Sequence, residues 1–367
     1  MHSLRVLALH WDDVCSPWRI ATPLGALRRA GVDARDASIH RPPDLAGVDV
    51  LVLHRPNSAG ALDLLGRARE RGIATVVDVD DLFLLDHLPP LAPFSRAWHP
   101  LFERREAEAR VAAGIDPSEA IASAPLNQVL ERFRACLATA DAVTVSTDTL
   151  AAAYAPFNPD IHVLPNCFDD ADPLWSSTSP ASPTRQTVNI GFAGTDHHVE
   201  SLELLRDALE PVLRRHAHAR IVEGGGPALI PLVNAPPEQL VHLGQLPFVT
   251  FPLLLRQMDI VLAPLADGLF WRCKSNIRAM TAGLVGLPVV ASPAGPYAGY
   301  VEHGVNGFHA RTAADWTASL DQLVADPTLR RRLGEANRRR ALDYAISRHA
   351  HRWIDLYERL LSRRRRA

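Results

Sequence analysis

Residues 259–307 read DIVLAPLADGLFWRCKSNIRAMTAGLVGLPVVASPAGPYAGYVEHGVNG. An apolar run, 260–265, opens the stretch. A loop with Asp267, Gly268 and Arg272 follows, then Lys274, Ser275, Asn276 and a helical run to Leu284. Gly286 and Pro288 stop that helix, and a second apolar run, 288–292, leads through a Gly/Pro turn to a short helix near Tyr297. Two β-rich runs separated by a helix predict neighbouring parallel strands. Ligands of such sheets sit beyond the carboxyl ends of the strands, where the loops 266–276 and 292–297 lie. A helix N-terminus there offers unpaired N–H groups and partial positive charge to an anion, with Ser275 as the expected N-cap. Lys274 is the sole lysine of the chain; every other fixed cation is arginine. A point charge at the mouth of a helix is a candidate phosphate ligand.

Outward from this stretch the same rhythm recurs. Strands are expected at 5–10, 32–39, 49–55, 74–79, 142–146 and 161–165, with helices at 16–30, 59–71, 127–139 and 147–154 between them. The segment 82–125 breaks the pattern and holds one expected helix, 103–111, in a Pro- and Ala-rich insertion of the kind that forms lids or binding loops. A stretch dense in Ser, Thr and Pro, 173–187, marks a boundary. Beyond it strands at 188–192, 220–223 and 240–243 and helices at 200–216 and 248–258 restart the rhythm. Helices at 313–325 and 327–344 follow the opening stretch, and a last one, 348–361, carries Trp353, Leu356, Tyr357 and Leu360 on one face.

These elements predict an α/β protein of two Rossmann-like, doubly wound domains facing across a cleft. The N-terminal domain spans 1–175, the linker 176–187 and the C-terminal domain 188–346. A closing helix and basic tail, 347–367, pack back on the N-terminal domain. At 367 residues the chain suits two domains. A formal net charge of −2 argues against a nucleic-acid binder. No apolar run approaches the ~20 residues needed to span a bilayer. The start, MHSLRVLALHWDDVC, is not a secretory signal, and four cysteines without C-x-x-C spacing read as free thiols in the cytoplasm.

Several segments together resemble the GT-B glycosyltransferases of group 1, a mostly retaining family, in a bacterial branch. They are DVDDLF at 78–83, LPNCFD at 164–169, IGFAGTDHH at 190–198, and KSNIRAMTAGLVGLP at 274–288. The last is similar to the signature K-S-x-x-K-x-x-E-y-x-x-x-G-x-P. The resemblance covers nearly the whole chain. It implies a donor site in the C-terminal domain, where Lys274 and Arg272 hold the diphosphate, with Ser275 beside them. The backbone at Gly194 and Thr195 approaches the same group, His198 lies near the leaving group or acceptor, and Tyr297 closes the sugar pocket. The family's ribose-binding glutamate is replaced by Thr281, and the position of its partner acid by Cys273. A hydroxyl holds ribose less strongly than a carboxylate, which fits either a deoxyribose donor or lost activity.

On the acceptor side the candidates are His10 and Asp12, as base or anchor, with Trp11, His54, Asp80, Asp81 and Asn166 around them. Asp78, Asp80 and Asp81 resemble a metal-binding D-x-D only superficially; acids facing the cleft or capping a helix is the preferred reading. No metal and no cofactor is expected; fixed cations and helix N-termini stabilise the leaving diphosphate instead. Gly224, Gly225 and Gly226 form either a flexible turn or an approach to the nucleotide base. Trp11, Phe270 and Trp271 either stack on a ligand or pack. The arginines at 363–366 read as a solvated, frayed tail, with weak peripheral contact to anionic lipid as the alternative.

The function predicted is a hexosyltransferase-class enzyme moving a sugar from a UDP-, dTDP- or GDP-linked donor to a sugar or natural-product hydroxyl. The rivals are a nucleotide-sugar epimerase of the same fold and a catalytically degenerate partner subunit.

Overall fold

A computed structural model describes residues 4–11, 15–83, 126–176, 186–194, 198–226, 228–244 and 247–366. Asp12, Thr195, the expected helix at 103–111 and most of the Ser/Pro stretch lie outside these residues. The chain divides into two units: 1–90 with 94–169 and 346–367, and 91–93 with 170–345.

The first unit holds six parallel strands, β1 (Arg5–His10), β2 (Asp33–Ser38), β3 (Val50–His54), β4 (Ala74–Val79), β5 (Ala142–Val145) and β6 (Ile161–Val163), in the order β2-β1-β3-β4-β5-β6. The inner strands β3, β4 and β5 are buried at every residue, and their β-branched runs suit a sheet covered on both faces. At the edge, β2 alternates less cleanly and is largely exposed. The long final helix, Ile346–Arg364, belongs to this unit. Its Trp353, Leu356, Tyr357 and Leu360 share a core with Val6, Ala8, Leu24 and Val52. Their spacing of three and four residues puts all four on one stripe. The tail is not frayed: the helix runs to Arg364, with Arg363 paired to Asp160 at 2.5 Å and Arg364 to Asp141 at 2.5 Å.

The second unit holds β7 (Val188–Gly194), β8 (Ala219–Gly225), β9 (Leu240–His242), β10 (Ile260–Ala263), β11 (Val289–Ala291) and β12 (Gly307–His309), parallel and ordered β12-β11-β10-β7-β8-β9. Chain order reverses between β7 and β10, so the loops leaving those two strands diverge and open a crevice. In the first sheet the reversal falls between β1 and β3.

Several expected elements differ. The helix at 16–30 begins as a π turn, Pro17–Ala21, before Thr22–Arg29. The helix at 200–216 is broken into Val199–Leu202, a 3₁₀ turn Glu203–Leu205 and Arg206–Arg215, with Pro211 inside the last piece. The helix at 248–258 shortens to a 3₁₀ turn, Phe248–Thr250, and Phe251–Leu255, which carries Pro252 near its start. Proline supplies no N–H and disfavours the helical conformation of the residue before it. β12 was not expected at all; its three residues are too few to show a period.

Candidate functional site

At the carboxyl end of the second sheet, β7 finishes in Phe192, Ala193 and Gly194. Gly225, at the end of β8, has φ +104°, and a Cβ there would meet the Gly194 carbonyl at 1.9 Å. Only glycine permits that approach. The Gly226 N–H reaches the same carbonyl at 3.3 Å, so the two strand ends are stitched together. The turn after β8 is held from beneath by Glu223. This fully buried carboxylate accepts the backbone N–H groups of Ala228, Leu229 and Ile230 at 2.8, 2.5 and 3.2 Å.

The segment after β10 is not all loop. Gly268, at φ +121°, starts a helical turn, Leu269–Arg272. Ser292 accepts the Leu265 N–H at 2.9 Å and Ser201 that of Ala266 at 3.0 Å, which fixes where the turn begins. The helix Ile277–Leu284 follows; its N-cap is Asn276, one residue later than the expected Ser275, and no side chain caps it.

A row of rings runs through this end. His198, N-cap of the turn Val199–Leu202, lies 6.1 Å from Phe192 and 5.9 Å from Trp271. Trp271 meets Phe270 edge-on at 5.0 Å and donates its indole N–H to Glu200 at 3.2 Å. A cation sits at each end of the row. The Lys274 ammonium is 4.3 Å from the Phe270 ring centre, and the Arg278 guanidinium 4.6 Å from that of Phe192. Phe270 and Trp271 are buried, as packing residues are.

Arg278 also donates from Nε to the Ala193 carbonyl at 3.2 Å, and its positive charge acts on the Tyr297 hydroxyl. Burial raises the Tyr297 pKa above its ordinary value, against a smaller opposing pull from Arg278. The structure thus brings Gly194, His198, Lys274 and Tyr297 into one set of contacts through Phe192, Trp271 and Arg278. Arg272 is exposed, and its backbone packs on Gly295. Thr281 stands apart: it is fully buried, and its hydroxyl donates to the Arg278 carbonyl within its own helix at 3.2 Å.

At the carboxyl end of the first sheet a second polar set forms. Register places His54 beside Asp78, and the His54 Nδ1 lies 3.0 Å from the Asp78 carboxylate. Arg19 grips the same carboxylate with two N–H groups, at 3.0 and 2.5 Å, and Thr144 donates to it at 2.6 Å. Arg19 also reaches Asn166 at 3.1 Å. Arg55 is the one described non-glycine residue at positive φ, +50°. It pairs with Asp80 at 2.6 Å and Asp81 at 3.3 Å, and its carbonyl accepts the Trp11 indole at 3.2 Å. His10 is half-buried, with its ring nitrogens against the Trp11 carbonyl and Asp36. The acids are therefore engaged by guanidiniums, not helix caps. Among the described residues no group of three or more His, Cys, Asp or Glu could hold a metal ion.

Arg19, Arg55 and Arg278 were absent from the sequence-derived site. The signal for Arg278 was its place four residues after Lys274, at the second basic position of the signature. Arg55 is the last residue of the strand expected at 49–55, a place that by itself points to no role.

Among the described residues no helix is long and apolar enough to cross a membrane. No curated protein matches the sequence. Residues 187–326 match the family model described as glycosyl transferases group 1. Among solved structures, Anabaena HepE in complex with UDP is similar with a TM-score of 0.61 at 14% identity, over 97% of this chain and 100% of that one. Sucrose-phosphate synthase from Thermosynechococcus elongatus gives 0.62 at 13% identity, over 98% and 99%. A glycosyltransferase from Rickettsia africae gives 0.64 at 9% identity, over 98% and 99%. The chain therefore has the GT-B fold, and residues 187–326 of its second unit match the group 1 glycosyl transferase model.

Proposed function

We propose that this enzyme transfers a sugar, with retention of anomeric configuration, from a nucleoside-diphosphate sugar to an acceptor hydroxyl. The donor binds at the carboxyl end of the second sheet. The observation that carries this reading is the placement of Lys274 and Tyr297 on the segments that follow β10 and β11, at the carboxyl end of a sheet whose strand order reverses between β7 and β10. That is the switch point at which doubly wound sheets bind nucleotides. The UDP in the Anabaena HepE complex agrees with a nucleotide ligand on this fold.

In the reaction the bond from the anomeric carbon to the β-phosphate oxygen breaks, and a bond from that carbon to the acceptor oxygen forms. The acceptor proton passes to the departing phosphate. Lys274, with Arg272 beside it, stabilises the charge that develops on the diphosphate, so no divalent cation is required. His198 orients the leaving group, and residues of the N-terminal domain, among them His10 and Asn166, hold the acceptor. The expected location is the cytoplasm, where nucleotide-sugars are made.

Calorimetric titration of UDP, dTDP and GDP into wild type and Lys274→Ala tests the reading. One nucleotide should bind at micromolar strength, on the order of −8 kcal/mol, and the variant should lose most of it. No binding by any of the three would remove the proposal. EDTA should leave the transfer rate unchanged, and the anomer of the product, read by NMR, reports retention.

A further inference from the structure

The buried Arg19–Asp78 pair of the first unit borders a cavity of about 10 Å³. Arg19, Asp78 and Tyr357 are its polar walls, and Trp353, Leu24 and Val52 are among its apolar ones. Tyr357 and Trp353 belong to the final helix, Ile346–Arg364, so the cavity lies where that helix covers the ion pair.

Hydrogen-bonding capacity is left over around this cavity. Arg19 places four of its five N–H groups: two on Asp78, at 3.0 and 2.5 Å, one on the Leu164 carbonyl at 2.6 Å and one on Asn166 at 3.1 Å. The fifth, on Nη2, meets no acceptor among the described residues. Asp78 cannot take it, because bonds from Arg19, His54 and Thr144 already fill its four acceptor positions. Tyr357 is buried, and no described residue bonds its hydroxyl. Burial raises the Tyr357 pKa above its ordinary value; Asp78 adds to the rise and Arg19 opposes it, so the hydroxyl stays protonated within reach of both charges. A buried hydroxyl or N–H without a partner costs stability. A polar cavity of this size takes one water molecule, which needs at least two polar partners. Arg19 supplies a donor, and the Tyr357 hydroxyl supplies both a donor and an acceptor.

We infer that this cavity is a hydration site for one ordered water, which joins the Tyr357 hydroxyl to Arg19 and so ties the final helix to the strand-end ion pair. Arg19 also holds Asn166, and Asp78 holds the His54 ring. The water thus completes a chain of bonds from the final helix to the polar residues at the carboxyl end of the first sheet.

Tyr357→Phe in the full chain tests the inference by sign, because it removes the hydroxyl and keeps the ring. With the water in place, the variant takes away one of its two partners and should lower the urea midpoint by roughly 0.3 M. In a dry cavity the same change removes an unpaired buried hydroxyl, and the midpoint should hold or rise; that result overturns the inference. A crystal structure of the wild type, at a resolution that shows ordered water, gives a second reading. Density for one water within hydrogen-bond distance of both Arg19 Nη2 and the Tyr357 hydroxyl is expected, and it should be lost in Tyr357→Phe. A cavity without density in the wild type, or a direct bond between the hydroxyl and Arg19, overturns the inference whatever the midpoint does.

Discussion

At the carboxyl end of the first sheet, Arg19 meets Asp78 at 2.5 Å and Arg55 meets Asp80 at 2.6 Å. At the same end of the second sheet, Arg278 meets a carbonyl, a hydroxyl and a ring. The residue type is the same and the electrical company is opposite. In the first set each buried carboxylate and guanidinium is paired, and Asp78 ties β3, β4 and β5 to the π turn that carries Arg19. Among the described residues the second set pairs Arg278 with no carboxylate. The first set therefore holds its strands by charge and the second by neutral contacts.

The comparison breaks most readily at Asp78. Replacing it by Asn leaves Arg19 buried without its counter-charge and removes the acceptor for His54 and Thr144. Removing one partner of a buried pair typically costs about 3–5 kcal/mol. Arg278→Gln leaves no carboxylate behind and should cost about 1 kcal/mol, the worth of ordinary hydrogen bonds. Urea unfolding of both variants measures the difference. Equal midpoints would mean that the first set is no more structural than the second.

Acid sharpens the same contrast. Burial opposes ionisation of Asp80, but the charges of Arg55, His54 and Arg19 outweigh it and lower its pKa from 3.8 to about 2. Asp78 is held lower still: burial again opposes ionisation, and Arg19 and His54 overcome it. A depressed carboxylate pKa means the unfolded chain binds protons first. The stabilisation is complete above the ordinary carboxylate value and is lost as pH falls from there through the folded value. Unfolding free energy should therefore drop between about pH 4 and pH 2, and Asp80→Asn should flatten that slope. Arg278→Gln should leave the slope as it is, because no carboxylate is paired there. A flattened slope in Arg278→Gln would reveal an acid partner and remove the contrast between the two sheets.

The strands that set the sheets could be read from sequence because their signal is local. Val50–His54, Ala74–Val79 and Ile260–Ala263 are short, largely apolar and β-branched runs bounded by turn residues. The four apolar residues of the last helix sit at helical spacing. The ion pairs are not local: Asp78 is 59 residues from Arg19, and Asp80 is 25 from Arg55. A run of acids shows that charge must be managed, but only register and a strand crossing reveal which arginine manages it. Arg55 further depends on a left-handed backbone that arginine rarely adopts, for which no residue pattern prepares a reader. Lys274 was legible because it is the single lysine, while Arg278 was hidden as one arginine among many.

The smallest effect is expected at Thr281, where sequence and structure pull apart. Resemblance set its hydroxyl against ribose, yet the side chain is fully buried and bonded to the Arg278 carbonyl. Thr281→Val preserves shape and removes only that bond, which is worth about 0.5–1.5 kcal/mol. If the helix keeps this position with nucleotide bound, the relative affinity for UDP and dTDP should not change. A several-fold change in that ratio would mean that the helix moves to bring the hydroxyl to the sugar. Arg278 would then move with it, three residues earlier on the same helix, and its bond to the Ala193 carbonyl would be lost. An unchanged ratio would mean that the Thr281 hydroxyl serves the helix and not the sugar.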